Sequence, residues 1–202
     1  MLQINDYVSF ISRRKVMTSR VYASKKVIAD TFFKKLEKDN FNAITISEIV
    51  GEANLSRSTF YRYFKNKYSI VQFFIEDLLD AYLLAVDERE IEDFTSLLVI
   101  YFEFWKKNKY YLELFKRHNL LDFALDIERK KFLKVLPYSD LPWHHNSSEN
   151  ELFADLIVIG GVWNISLYWL ENDFQLEPAD LAEEIVKSLS SYKNFYIKNS
   201  IK

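Results

Sequence analysis

Between Thr45 and Lys67 the chain is punctuated by helix-capping residues at short, regular intervals. Thr45 followed three residues later by Glu48 is a capping box, and the helix it opens carries Ile46, Ile49, Val50 and Ala53 on one side. Asn54 stands where the chain has to turn sharply, and Asn tolerates the left-handed backbone region better than any residue except Gly. Ser56 caps a second short helix. There Phe60 and Phe64, four apart, point inward and leave Arg57, Ser58, Thr59, Tyr61 and Tyr63 for other faces. Two capped helices joined by a tight turn make a helix-turn-helix. The outward set of the second helix is cationic, hydroxylic and aromatic: Arg forks onto guanine, Ser and Thr reach base edges or phosphate, and Tyr hydroxyls hold phosphate oxygens. The spacing therefore predicts a helix suited to the DNA major groove, although Tyr61 and Tyr63 also fit as padding of a helical core.

On Ile44–Ile49, Leu55–Phe64 and Lys65–Lys67 the chain resembles the DNA-binding domain of the tetracycline-repressor (TetR) family. The resemblance spans roughly Ser24 to Val71 and departs from the family at Asn54, where Gly is usual. It implies an all-α protein in which a three-helix DNA-binding domain is joined by a long helix to an α-helical effector-binding and dimerisation domain. The corresponding division is an N-terminal extension over 1–23, the DNA-binding domain over 24–71 and the effector and dimer domain over 72–202. It also implies DNA contact by Thr45, Ser56, Arg57, Ser58, Thr59, Tyr61, Tyr63 and Lys67, with Arg57 and Thr59 at base edges and Tyr61 and Lys67 on phosphate.

Charge agrees with that polarity. Residues 1–67 hold 13 Lys and Arg against 6 Asp and Glu, while the remainder holds 14 against 23. A basic end attracts phosphate and an acidic remainder keeps the rest of the molecule off it. With 3 Gly and 3 Pro in 202 residues there is too little punctuation for a sheet-rich fold. The absence of Cys removes disulfides, thiolate metal sites and cysteine nucleophiles, and is compatible with a cytoplasmic protein. No signal peptide is read at the start, because Arg13, Arg14 and Lys15 follow the modest apolar stretch around Val8–Ile11. Met17 is an equally good first residue, and residues 1–16 otherwise read as an arm whose basic cluster enters a minor groove or touches phosphate.

Periodicity and breakers divide the rest. A first helix is expected from a Ser24 cap to Asp39, a long one from Asn66 to Asp87, then helices from Asp93 or Thr95 to Lys107, Lys109 to His118 and Leu120 to Leu136. A loop holding Pro137, Pro142 and His144–Ser148 precedes an apolar helix over 149–172 and a last one from Pro178 to about Asn199. The apolar helix is long enough for a membrane span, but Asp155 and the tandem Gly160-Gly161 beside Trp163 fit burial among protein helices, so no membrane partner is expected. Two stripes, Leu156, Gly160, Trp163 and Leu167 in this helix and Leu181, Ile185, Leu189 and Tyr192 in the last, are by the resemblance a homodimer interface; by spacing alone they equally suit the subunit's own core. The dimer would read an inverted-repeat operator in double-stranded DNA. Phe102, Trp105, Tyr111, Phe115, Phe123 and Trp163 are candidates for lining a pocket for a small hydrophobic or aromatic effector, and are equally the residues of a plain core.

No cofactor is expected. His144 and His145 lack a thiol partner or a ligand spacing that argues for metal, and there is no phosphate loop or nucleophile elbow to suggest an enzyme. The expected function is a dimeric, sequence-specific DNA-binding transcriptional regulator, a repressor released by a small effector. The alternative is an effector-independent DNA-binding or protein-interaction dimer.

Overall fold

The computed structural model describes residues 19–136, 139, 141–142 and 149–191. Among these the chain forms nine helices and no strand: α1 (Ser19–Leu36), α2 (Ile46–Glu52), α3 (Arg57–Tyr63), α4 (Lys67–Asp87), α5 (Phe94–Lys107), α6 (Lys109–Arg117), α7 (Leu121–Val135), α8 (Glu149–Glu171) and α9 (Pro178–Ser191).

Among the described residues, four of the nine helices start where a side chain satisfies a free amide. Thr45 accepts from the Glu48 amide at 3.2 Å while the Glu48 carboxylate accepts from the Thr45 amide at 2.7 Å, a reciprocal capping box. Asn66 and Asp93 cap α4 and α5 by accepting from the amides of Ser69 and Ser96. The first helix departs from expectation. It begins at Ser19, and Ser24, expected as its cap, lies inside it with its hydroxyl donated back to the Arg20 carbonyl at 2.9 Å. Its end at Leu36 falls short of Asp39. The continuation of α9 toward Asn199, including Tyr192, lies outside the described residues, as do the basic arm, His144 and His145.

α4 is the axis of the molecule. Its first turn sits against the helix-turn-helix, and its length carries α1 on one side and α7 on another, while α9 packs on α5 and α8 on α7. One continuous apolar core runs from Ile28 of α1 to Ile185 of α9. The reading head joins the body through an aromatic seam: Phe33 of α1 lies with its ring centroid 4.0 Å from Phe74 of α4 and about 6 Å from Tyr111 and Phe115 of α6. At the same seam His118 Nε2 lies 2.9 Å from the Leu36 carbonyl, at the open C-terminal end of α1. The α8–α9 corner is closed by Trp169, whose indole N–H donates to the Leu176 carbonyl at 3.0 Å and whose ring packs on Phe174.

The apolar helix does not match its expected burial. Only 28% of the most apolar window of α8 is covered within the subunit. Trp163 is buried, but Phe153, Ile157 and Tyr168 are 62%, 68% and 67% exposed. Added side-chain carbons at Gly160 or Gly161 would meet open space, so the tandem glycines serve no close packing inside the subunit.

Candidate DNA-reading surface and effector cavity

The turn between α2 and α3 is made by Asn54 at φ 53°, with the Leu55 amide donating to the Val50 carbonyl at 2.8 Å. That left-handed step is what a Gly normally supplies. It sets α3 across α2, with Phe60 and Phe64 buried against Ile49 and Val50 in the core. Ser56 caps α3 by accepting from the Thr59 amide at 3.1 Å, and its hydroxyl also lies 2.8 Å from that of Ser58 and 2.9 Å from that of Thr59.

Of the eight residues expected at DNA, Arg57, Ser58 and Tyr61 stand exposed on α3, and Thr45 and Ser56 are exposed caps at the helix starts. Thr59 and Tyr63 are half-buried, and Tyr63 packs on the core. Lys67 is placed differently from expectation. Its Nζ donates to the carbonyls of Phe41, Ile44 and Asn42 at 2.5, 2.7 and 3.3 Å, so its donors are spent on closing the 41–44 loop and a phosphate would have to displace one of them. Burial lowers its pKa, opposed by the nearby Glu48 charge. Arg62 and Lys65, exposed beside this surface, were missed by the sequence reading because it followed the family's motif positions.

Residues 34–72 match the model of the family described as bacterial regulatory proteins, tetR family. The match ends a few residues into α4, so it covers α2, α3, their flanking turns and the end of α1. The chain carries a tetR-family DNA-binding domain over these residues. Its DNA-binding role follows from that domain. No curated protein matches the chain.

Beyond that domain, the body of the molecule contains a cavity of about 80 Å³ between α4, α5, α7 and α8. Its walls are apolar, with Tyr82 and Val86 from α4, Leu97 from α5, Val135 from α7 and Val162 from α8. None of the six aromatic residues expected to line an effector pocket borders it. Phe102 packs edge-on to Trp169, Trp105 sits beside Tyr101 and Phe104, and Phe115 faces Phe33. Tyr111 belongs to the aromatic seam, Phe123 packs on Tyr68, and Trp163 is core. These side chains fill the space between helices, whereas the void lies where Tyr82, Phe94, Tyr101 and Phe132 meet the aliphatic side chains of α4, α5, α7 and α8.

Two polar side chains, Tyr101 and Glu128, enter the cavity wall with Tyr82. The Tyr101 hydroxyl donates to Glu128 Oε1 at 3.0 Å, and burial pushes the carboxyl's pKa up to about 8. Burial likewise holds both tyrosines above their ordinary range, with the Glu128 charge adding to it. Glu128 was legible as an acidic residue inside an apolar stripe, since Ala124, Phe132 and Val135 stand four before, four after and seven after it.

The expected dimer residues also divide. Trp163, Leu181 and Ile185 are buried in the subunit, Leu156, Gly160 and Leu167 are partly covered, and Leu189 is 54% exposed. The outward face of α8 is instead Phe153, Ile157, Gly161, Asn164 and Tyr168, which recur at four, four, three and four along one side of the helix.

Proposed function

We propose that this regulator is a homodimeric repressor that leaves its operator when a small effector enters the cavity of the body. The observation that carries the reading is that α4 is shared: Tyr82, Leu83 and Val86 near its end line the cavity, and its first turn carries the Lys67 clamp and the Asn66 cap beside the helix-turn-helix. A ligand that shifts the cavity end of α4 tilts the reading head. For the dimer, the support is the exposed face of α8 around Ile157, apolar and flattened by Gly161. Two copies crossing on that face would set two reading heads at a fixed spacing for an inverted repeat. The DNA surface would be Arg57, Ser58 and Tyr61 with Arg62, while Thr45, Ser56 and Thr59 shape the helix starts that present them. The same apolar face accounts for the length and hydropathy of α8 without a membrane, in keeping with a cytoplasmic protein.

The test uses labelled DNA from the region flanking the coding sequence, searched for an inverted repeat, with anisotropy titrations in the presence and absence of a cavity ligand. A ligand that favours one head spacing by about 3 kcal/mol changes operator affinity on the order of a hundredfold, and operator must change ligand affinity by the same factor. Equal ligand affinity with and without operator would remove the compound as the switch. Failure of any cavity ligand to alter operator binding would leave the effector-independent dimer as the better reading.

A further inference from the structure

The apolar walls of the cavity leave Glu128 unexplained. The residue is 2% exposed, its Oε1 accepts from Tyr101, and its Oε2 has no hydrogen-bond partner among the described residues. The polar groups that face it are Tyr101 from α5 and Tyr82 from α4, with Ser166 of α8 beside Tyr101 and its own hydroxyl donated to the Val162 carbonyl. No cation is among them. A buried carboxyl with one oxygen unpaired is costly to the empty fold, whereas a leucine at the same place would fill it without that cost. The residue gains a favourable role only when something in the cavity supplies the missing partner.

Resting on the effector reading above, we propose that the cavity takes a small aliphatic amine, its hydrocarbon part against Leu97, Val135 and Val162 and its protonated nitrogen donating to Glu128 Oε2. A neutral acid could instead donate to a ligand carbonyl, but two observations favour the cation. The Tyr101 hydroxyl already donates to Oε1, which supports the ionised carboxylate. A charge-assisted N–H bond to a carboxylate is also about twice as strong as a neutral one. Size limits the ligand. A dry cavity near 150 Å³ takes benzene, and this one, at about 80 Å³, suits a smaller skeleton such as propylamine or isobutylamine.

When such an amine binds at neutral pH, Glu128 gives its proton to solvent and the ammonium takes its place as partner. Calorimetry of the full chain with propylamine and isobutylamine, and with the alcohols of the same skeletons, should be run at pH 7 in two buffers of different ionisation enthalpy. The amines should bind about tenfold more tightly than the alcohols and release about one proton, which the alcohols should not do. Glu128→Gln, which keeps the shape of the protonated acid, should remain folded by circular dichroism and lose about tenfold in amine affinity, with alcohol affinity within about threefold of the parent. Alcohols that bind as well as amines, or amines that release no proton, would overturn the amine assignment and leave the effector cavity standing. If none of the four compounds binds, the assignment and the effector reading fall together.

Discussion

Lys67 and Arg57 lie at the ends of one short stretch and have separable tasks. Arg57 is exposed on α3, whereas the Lys67 ammonium is anchored to three carbonyls of the 41–44 loop. Lys67→Met should cost about 2 kcal/mol of stability, because charged donors are withdrawn from carbonyls that lose their partner, and should leave the salt slope of DNA binding unchanged. Arg57→Ala should leave the melting temperature alone, weaken operator binding by about 1–3 kcal/mol and relax sequence preference. Thermal melts and anisotropy across a salt series measure these quantities, and a salt slope lower by about one in Lys67→Met would return that residue to the phosphate backbone. Glu128 offers a pH signature. Its folded pKa of about 8 lies above the ordinary 4.5, so the folded chain holds a proton that the unfolded chain has released, and stability falls as pH rises from 4.5 to 8 and then levels. Glu128→Gln does not titrate; facing the same Tyr101 and Tyr82, it should gain about 4 kcal/mol over the parent at pH 8 and nothing near pH 4.5. Chemical denaturation at several pH values would show a pH-independent difference if Glu128 were not the group responsible. At this scale the sequence was most informative where a residue acts on its own backbone: the Thr45 box and the left-handed Asn54 are local events. The Lys67 anchor was not legible, since its partners lie more than twenty residues away.

Apart from those of α1, helix limits were legible for the same reason, because caps, Pro178 and the positive-φ turn at Asn54 are written next to the ends they make. Helix faces were harder. α8 is apolar on nearly every side, so several stripes satisfy the same spacing, and the one chosen through Trp163 turned out to face inward. The outward stripe through Ile157 differs by only a fraction of a turn. What separates them is contact with α7 on one side, which is non-local. The cavity failed to be legible for a related reason: Tyr82, Tyr101 and Phe132 border the void while Phe102, Trp105 and Phe115 are packed solid, and only contacts between distant helices separate the two sets. If α8 is the dimer seam, Ile157→Glu should leave the subunit fold intact, because the side chain is 68% exposed in it. It should weaken association by roughly 3 kcal/mol per subunit by placing an unpaired carboxylate in the seam. Sedimentation velocity across a concentration series would register monomers, and an unchanged dimer would move the interface elsewhere.

Across the whole molecule, no break in packing separates the part that meets DNA from the part that holds the cavity. The expected boundary at residue 71 falls inside α4, and buried residues on either side of it belong to one core. The ring contacts among Phe33, Phe74, Tyr111 and Phe115 seat α1 on α4 and α6. This arrangement affects how a genetic screen would read. If the protein acts as the proposed repressor, substitutions that release a repressed reporter would fall in α3, where the mutant protein has lost its grip on DNA. They would also collect at Phe33, Phe74, Tyr111 and Phe115, which lie away from the reading surface and outside the cavity wall, and at those positions the same phenotype would report a reading head that has come loose from its mount.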